Sequence, residues 1–135
     1  MEEKEYTEEL LKVAFAAMVC DGDIHADEEK MLRGIEKEDF YFKDFDLEQT
    51  VDQLKADFEE RKLEVPTEIN RGTYHLELNH VQRIKMLEVA IGIVRADRKI
   101  EQAEIEFFNK LIINLQVSKQ LVNERFGNWE ILDID

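Results

Sequence analysis

The chain has 135 residues, and 18 Lys and Arg against 32 Asp and Glu leave it a formal charge of −14. That balance disfavours a nucleic-acid backbone or an anionic lipid surface, both of which draw on clustered cations, and leaves cations or basic protein surfaces as partners. With 44% apolar residues, one Pro and five Gly, the composition excludes a turn-rich β architecture and describes a single helical domain, 1–135.

Cys20 is the sole cysteine, so no internal disulfide forms. The start, MEEKEYTEELLKV, lacks a basic region leading into an apolar stretch, and no cleaved secretory signal is expected. The longest apolar run, Val13–Cys20, is too short to span a bilayer. The expectation is a cytoplasmic protein with no membrane insertion.

In chain order, Thr7 reads as a helix N-cap with Tyr6 and Leu11 as its hydrophobic staple. Leu10, Leu11, Ala14, Phe15 and Met18 form one stripe, and Val13, Ala16, Ala17 and Val19 fill most of the remainder. A helix apolar nearly all round belongs inside a bundle. It ends near Asp21, where Gly22 supplies a left-handed turn. A second helix follows over roughly 26–37 with Met31, Leu32 and Ile35 inward. The connection 36–46 is rich in aromatics, with Phe40, Tyr41, Phe42 and Phe45 placed to cover the end of the bundle.

Asp46-Leu47-Glu48-Gln49 is a capping box for a third helix carrying Leu47, Val51, Leu54 and Phe58, which Val65-Pro66 breaks. Residues 67–77 form a short helix. Asn79-His80-Val81-Gln82 opens another buried helix over 79–96, with Ile84, Leu87, Ala90, Ile91 and Val94 among its apolar residues. After a turn at 97–100 comes a helix to about Leu115. Ser118 caps the last one, Val117 and Val122 staple it, and Gly127 ends it. The fold class is an all-α single bundle of six or seven helices.

Two stretches repeat. VAFAAMVCDGDIHADEE (13–29) lies over VAIGIVRADRKIEQAEI (89–105), matching Val13 with Val89, Asp21 with Asp97, Ile24 with Ile100 and Glu28 with Glu104. The matches fall at the joints of two pseudo-symmetric helix–turn–helix units. An apolar helix running into Asp-Gly-x-Ile-x-x-x-Glu, used twice, resembles the TerB-like family, the tellurite-resistance TerB fold also found at the N-terminus of the DjlA co-chaperone. The resemblance runs from about Thr7 to Gly127. It implies an all-α domain of about seven helices, no catalytic activity, a setting in tellurite or other stress response, and an acidic cluster proposed to bind metal. Asp21, Gly22, Ile24 and Glu28 fit the pattern in the first motif. Asp97, Ile100 and Glu104 fit it in the second, where Arg98 replaces Gly and Lys99 follows.

Two readings of these acids stand side by side. In one, Asp21, Asp23 and Glu28, with Asp97 and Glu104 secondary, are oxygen ligands for a divalent cation such as Ca²⁺, Mg²⁺ or Mn²⁺. A true EF-hand is excluded, because with Glu28 at loop position 12 the first and third ligand positions fall on Ala17 and Val19. In the other reading, Glu28 and Glu104 reach back to the turn amide three residues before them, and Asp21 and Asp97 accept from their own turns. His25 and Glu101 are poor N-caps, so that box is half built.

Other chemistry finds little support. HLELNH (75–80) lacks the spacing and the Glu of a zinc-hydrolase motif, and His25 reads as a solvated turn histidine. Cys20 reads as an inert thiol with no identifiable base. Trp129, Ile131 and Leu132 read as a tail docked on the body. The sequence therefore predicts a non-catalytic helical domain that binds a divalent cation at its acidic turns. The alternative is a module that docks a protein partner, co-chaperone-like, through an acidic face without metal.

Overall fold

The computed structural model describes residues 2–35, 45–95 and 101–127. Among them are seven α-helices and no strand: α1 (Glu3–Val19), α2 (Ala26–Arg33), α3 (Leu47–Arg61), α4 (Glu64–Gly72), α5 (His80–Val94), α6 (Gln102–Asn114) and α7 (Lys119–Phe126), with a 3-10 turn at Thr73–His75. The all-α expectation holds.

α1 is the axis of the bundle. It packs on α2, α3, α4, α5 and α6, which is why a helix with apolar side chains on every face can exist in water. Tyr6, Leu10, Phe15 and Met18 are fully or almost fully buried, and Phe15 meets Phe58 of α3 edge-to-face with ring centroids 6.3 Å apart. Burying one such aromatic side chain stabilises the fold by about 1.5–3 kcal/mol. Ala16 and Ala17 are buried as well, so a larger side chain at either position overpacks the core. The second buried helix, α5, lies along α1, and the Tyr6 hydroxyl donates to the Gln82 carbonyl at 2.8 Å.

Several helix ends follow the capping chemistry of the sequence. Asn79 Oδ1 accepts from the Gln82 N–H at 2.8 Å, and Gln82 Oε1 accepts from the Asn79 N–H at 2.9 Å, a complete reciprocal box. Asp46 accepts from Gln49 and Ser118 from Leu121. Gly22 (φ +95°) and Gly127 (φ +82°) adopt the left-handed backbone expected of them.

Other expectations are corrected. Thr7 is not an N-cap: α1 begins four residues earlier, and the buried Thr7 hydroxyl donates back to the Glu3 carbonyl at 2.9 Å. The early start places Glu3 and Glu5 in the first turn, where the helix dipole favours carboxylates. α2 stops at Arg33 with Gly34 as its C-cap, and Met31 is exposed rather than inward. The break after α3 falls at Lys62, whose φ of +51° turns the chain, and Pro66 sits within the first turn of α4, where its missing N–H costs nothing. Phe40, Tyr41, Phe42, Trp129, Ile131 and Leu132 lie outside the described residues. Phe45 packs against the core as expected.

Candidate functional site

The first elbow joins α1 to α2. Asp21 Oδ1 accepts from the Asp23 N–H at 3.0 Å, and Asp21 Oδ2 lies 2.6 Å from His25 Nε2. Asp21 therefore holds its own turn in shape, and His25 is its partner rather than an independent solvated ring. Asp23 points to solvent. Glu28, in the first turn of α2, is 0% exposed.

The second elbow leads into α6. Glu104 is 4% exposed and accepts from the Glu101 N–H at 2.8 Å, the back-reaching half of a capping box. Its predicted partner Asp97 lies outside the described residues.

Cys20, the C-cap of α1, lines the same concave surface as Ala103 in the first turn of α6. Burial pushes its thiol well above the ordinary range, and the carboxylates of Glu104, Asp21 and Glu28 push it further in the same direction. Carboxylates from both units thus disfavour the thiolate. At neutral pH the sulfur is a protonated thiol, a poor nucleophile and a poor metal ligand.

Convergence is not yet coordination. Among the described residues, no group of three His, Cys, Asp or Glu side chains stands close enough together to hold a metal ion. Asp21 already uses both oxygens, and Glu104 uses one on an amide. Asp21 and Glu104 fit hydrogen-bonded turns better than a ligand set.

Cys20 also closes one end of a half-open groove of about 470 Å³ between α4 and α6. The α4 wall is Leu63, Pro66, Thr67, Asn70 and Arg71, spaced so that one helical face looks into the groove. Ala103, Glu106, Phe107, Lys110 and Ile113 form the α6 wall by the same spacing. Asn70, 5% exposed, joins the walls: its Nδ2 donates to the Phe107 carbonyl at 3.0 Å, and its Oδ1 accepts from Asn114 Nδ2 at 2.9 Å. The rims stay apolar and open, with Leu63 49% and Ile113 73% exposed.

This groove was missed in the sequence. Its signal is the Ile112-Ile113 pair: neighbouring helix positions diverge by about 100°, so only one of the two faces the core, and Ile112 does so.

No helix of the described residues is long and apolar enough to cross a membrane. Neither a curated protein nor a solved structure gives a significant match to the chain. The family model for tellurite resistance protein TerB matches residues 7–124, a span that takes in both elbows and both walls of the groove. The chain therefore belongs to the TerB family.

Proposed function

We propose that this chain is a non-catalytic TerB domain that docks another protein in the cytoplasm during the response to tellurite or a related stress. The observation that carries the reading is the α4–α6 groove, which exposes Leu63 and Ile113 at its rim and is left uncovered by the described residues. Exposed apolar side chains that line one concave surface mark contact sites more often than scattered ones do. Chemistry is poorly provided for: the one thiol is held protonated, and Asp21 holds His25. The family description supports the stress setting.

Affinity capture from a native lysate tests the docking, using the intact chain beside an Ile113→Asp variant. Ile113 is largely exposed, so the variant folds, while a carboxylate on the rim removes about 1–2 kcal/mol of apolar contact from any occupant. Partners retained by the intact chain and lost by the variant support docking through the groove. Equal retention by both refutes it.

A cation at the elbows is the second reading, favoured by the burial of two carboxylates, Glu28 and Glu104, at matching places in the two units. Titration with Ca²⁺, Mg²⁺ and Mn²⁺, followed through backbone amide shifts, decides it. Saturable shifts confined to 20–29 and 101–105 support a bound cation, and flat titrations refute it.

A further inference from the structure

The charges on the groove walls say what kind of partner it fits. The chain carries an excess of acids, and many of its described cations are already paired: Arg33 with Glu29, Glu48 and Asp52, Lys55 with Glu29, Arg61 with Glu64 and Glu68, and Arg125 with Glu88. Arg71 and Lys110 are among those that are not. Both line the groove, one from each wall, and among the described residues neither side chain makes an ion pair or a hydrogen bond. Lys110 leaves even Glu106, one turn earlier on the same wall, unbridged.

Their position along the groove is also set. Asn70 binds the Phe107 carbonyl and Asn114, which brings the C-terminal halves of α4 and α6 together. Arg71 follows Asn70, and Lys110 lies between Phe107 and Asn114, so both cations belong to that half. At the other end, which also holds Glu106, Leu63 Cδ2 comes within 3.9 Å of the point where a Cβ on Gly22 would stand, beside Cys20. The α6 wall runs from Ala103 to Asn114, about 16 Å at 1.5 Å per residue. Two helices whose facing residues recur at three- and four-residue spacing form a trough suited to a third helix.

We propose that the trough receives an amphipathic helix of a partner protein, two to three turns long, with its apolar stripe on Leu63, Pro66, Phe107 and Ile113 and carboxylates beside Arg71 and Lys110. This rests on the docking reading and adds the chemistry of the partner. An acidic segment is what the overall charge would repel, so the two free cations act as a local selector: they admit a carboxylate at one place on an otherwise repulsive surface. A basic helix gains from the overall field but meets like charge inside the trough.

The probe is a synthetic amphipathic helical peptide of about three turns with two Glu beside its apolar stripe, compared with its Glu→Lys counterpart. Backbone amide shifts of the full chain report where each binds and how tightly. The Glu peptide binds more tightly, its shifts fall on α4 and α6, and Arg71→Glu with Lys110→Glu weakens it about fivefold or more. The same double variant binds the Lys peptide more tightly than the intact chain does, a charge-swap rescue that a fold defect cannot produce.

Equal affinity for both peptides, absence of binding, or shifts away from the groove overturns the proposal. If a lysate partner is still lost on Ile113→Asp while the Glu peptide shows no preference, docking stands and the acidic-helix chemistry falls. If Ile113→Asp loses no partner, docking itself falls.

Discussion

Replacing Asn70 by Ala tests whether the groove walls are held together as described. Its carboxamide makes two hydrogen bonds, one given to the Phe107 carbonyl at 3.0 Å and one taken from Asn114 Nδ2 at 2.9 Å. Each is worth about 0.5–1.5 kcal/mol net. Phe107 lies within α6, so its carbonyl is not stranded, and Asn114 Nδ2 still donates to the main-chain carbonyl of residue 70 at 3.0 Å. Removing a buried carboxamide leaves a small void as well, and the total loss comes to about 2–3 kcal/mol.

Unfolding entropy near 2.1 cal/mol/K per residue gives about 0.28 kcal/mol/K for 135 residues, so the melting temperature falls by about 7–11 °C. Asn114→Ala costs about 1 kcal/mol, and because the two residues share a bond, the double variant loses about 1 kcal/mol less than the sum of the singles. Thermal melts of the four proteins supply the cycle. An Asn70→Ala loss below about 1 kcal/mol, or strict additivity, refutes the bridged-wall geometry.

Gly22→Ala costs about 1–2 kcal/mol in a denaturant melt, because φ at that position is +95° and the nearest side chain is 3.9 Å from the new Cβ, so the cost is backbone strain rather than a clash. Glu29 is held below its usual value of 4.5, first by the hydrogen bond from Arg33 and then by Lys55. A depressed carboxylate contributes stability that is present above 4.5 and disappears as pH falls through the folded value. Melting temperatures of the intact chain and Glu29→Gln therefore differ most near neutrality and converge in acid; parallel curves contradict the pairing. Cys20, its thiol raised chiefly by burial, reacts with iodoacetamide at pH 8 far more slowly in the folded chain than in denaturant. Equal rates would mean an accessible thiolate that the fold does not provide.

Helix placement was legible wherever it rests on side-chain chemistry close in sequence. Asn79 with Gln82, Asp46, Ser118, Gly22 and Gly127 each announce a helix end through a cap or a left-handed turn, and each end is found. Thr7 carried the same signal and misled, because a threonine hydroxyl satisfies the carbonyl four residues back as readily as it caps. Lys62 carried no signal at all: a left-handed φ is read from Gly or Asn, and a lysine there is held by its surroundings, including its approach to within 5.7 Å of the Phe58 ring centroid.

The elbows were legible because duplication leaves the same residues at both joints, and the structure buries Glu28 and Glu104 at matching places in the first turns of α2 and α6. Whether acids brought together bind a cation or their own amides depends on oxygen directions, which spacing does not encode. The groove was illegible for a related reason. Its two walls come from separate helices, and which faces meet is decided by the packing of α4 and α6 on α1.

The approach of the first elbow to the start of α6, where Cys20 and Ala103 line one groove, is open to direct measurement. A nitroxide attached at Asp23→Cys, in a Cys20→Ala background, places an unpaired electron on the exposed tip of the first elbow. Paramagnetic broadening of the amide signals of Gln102, Ala103 and Glu104, far away in sequence, is the outcome that the fold demands. Sharp, undiminished signals at those three positions would place the second elbow elsewhere and contradict it.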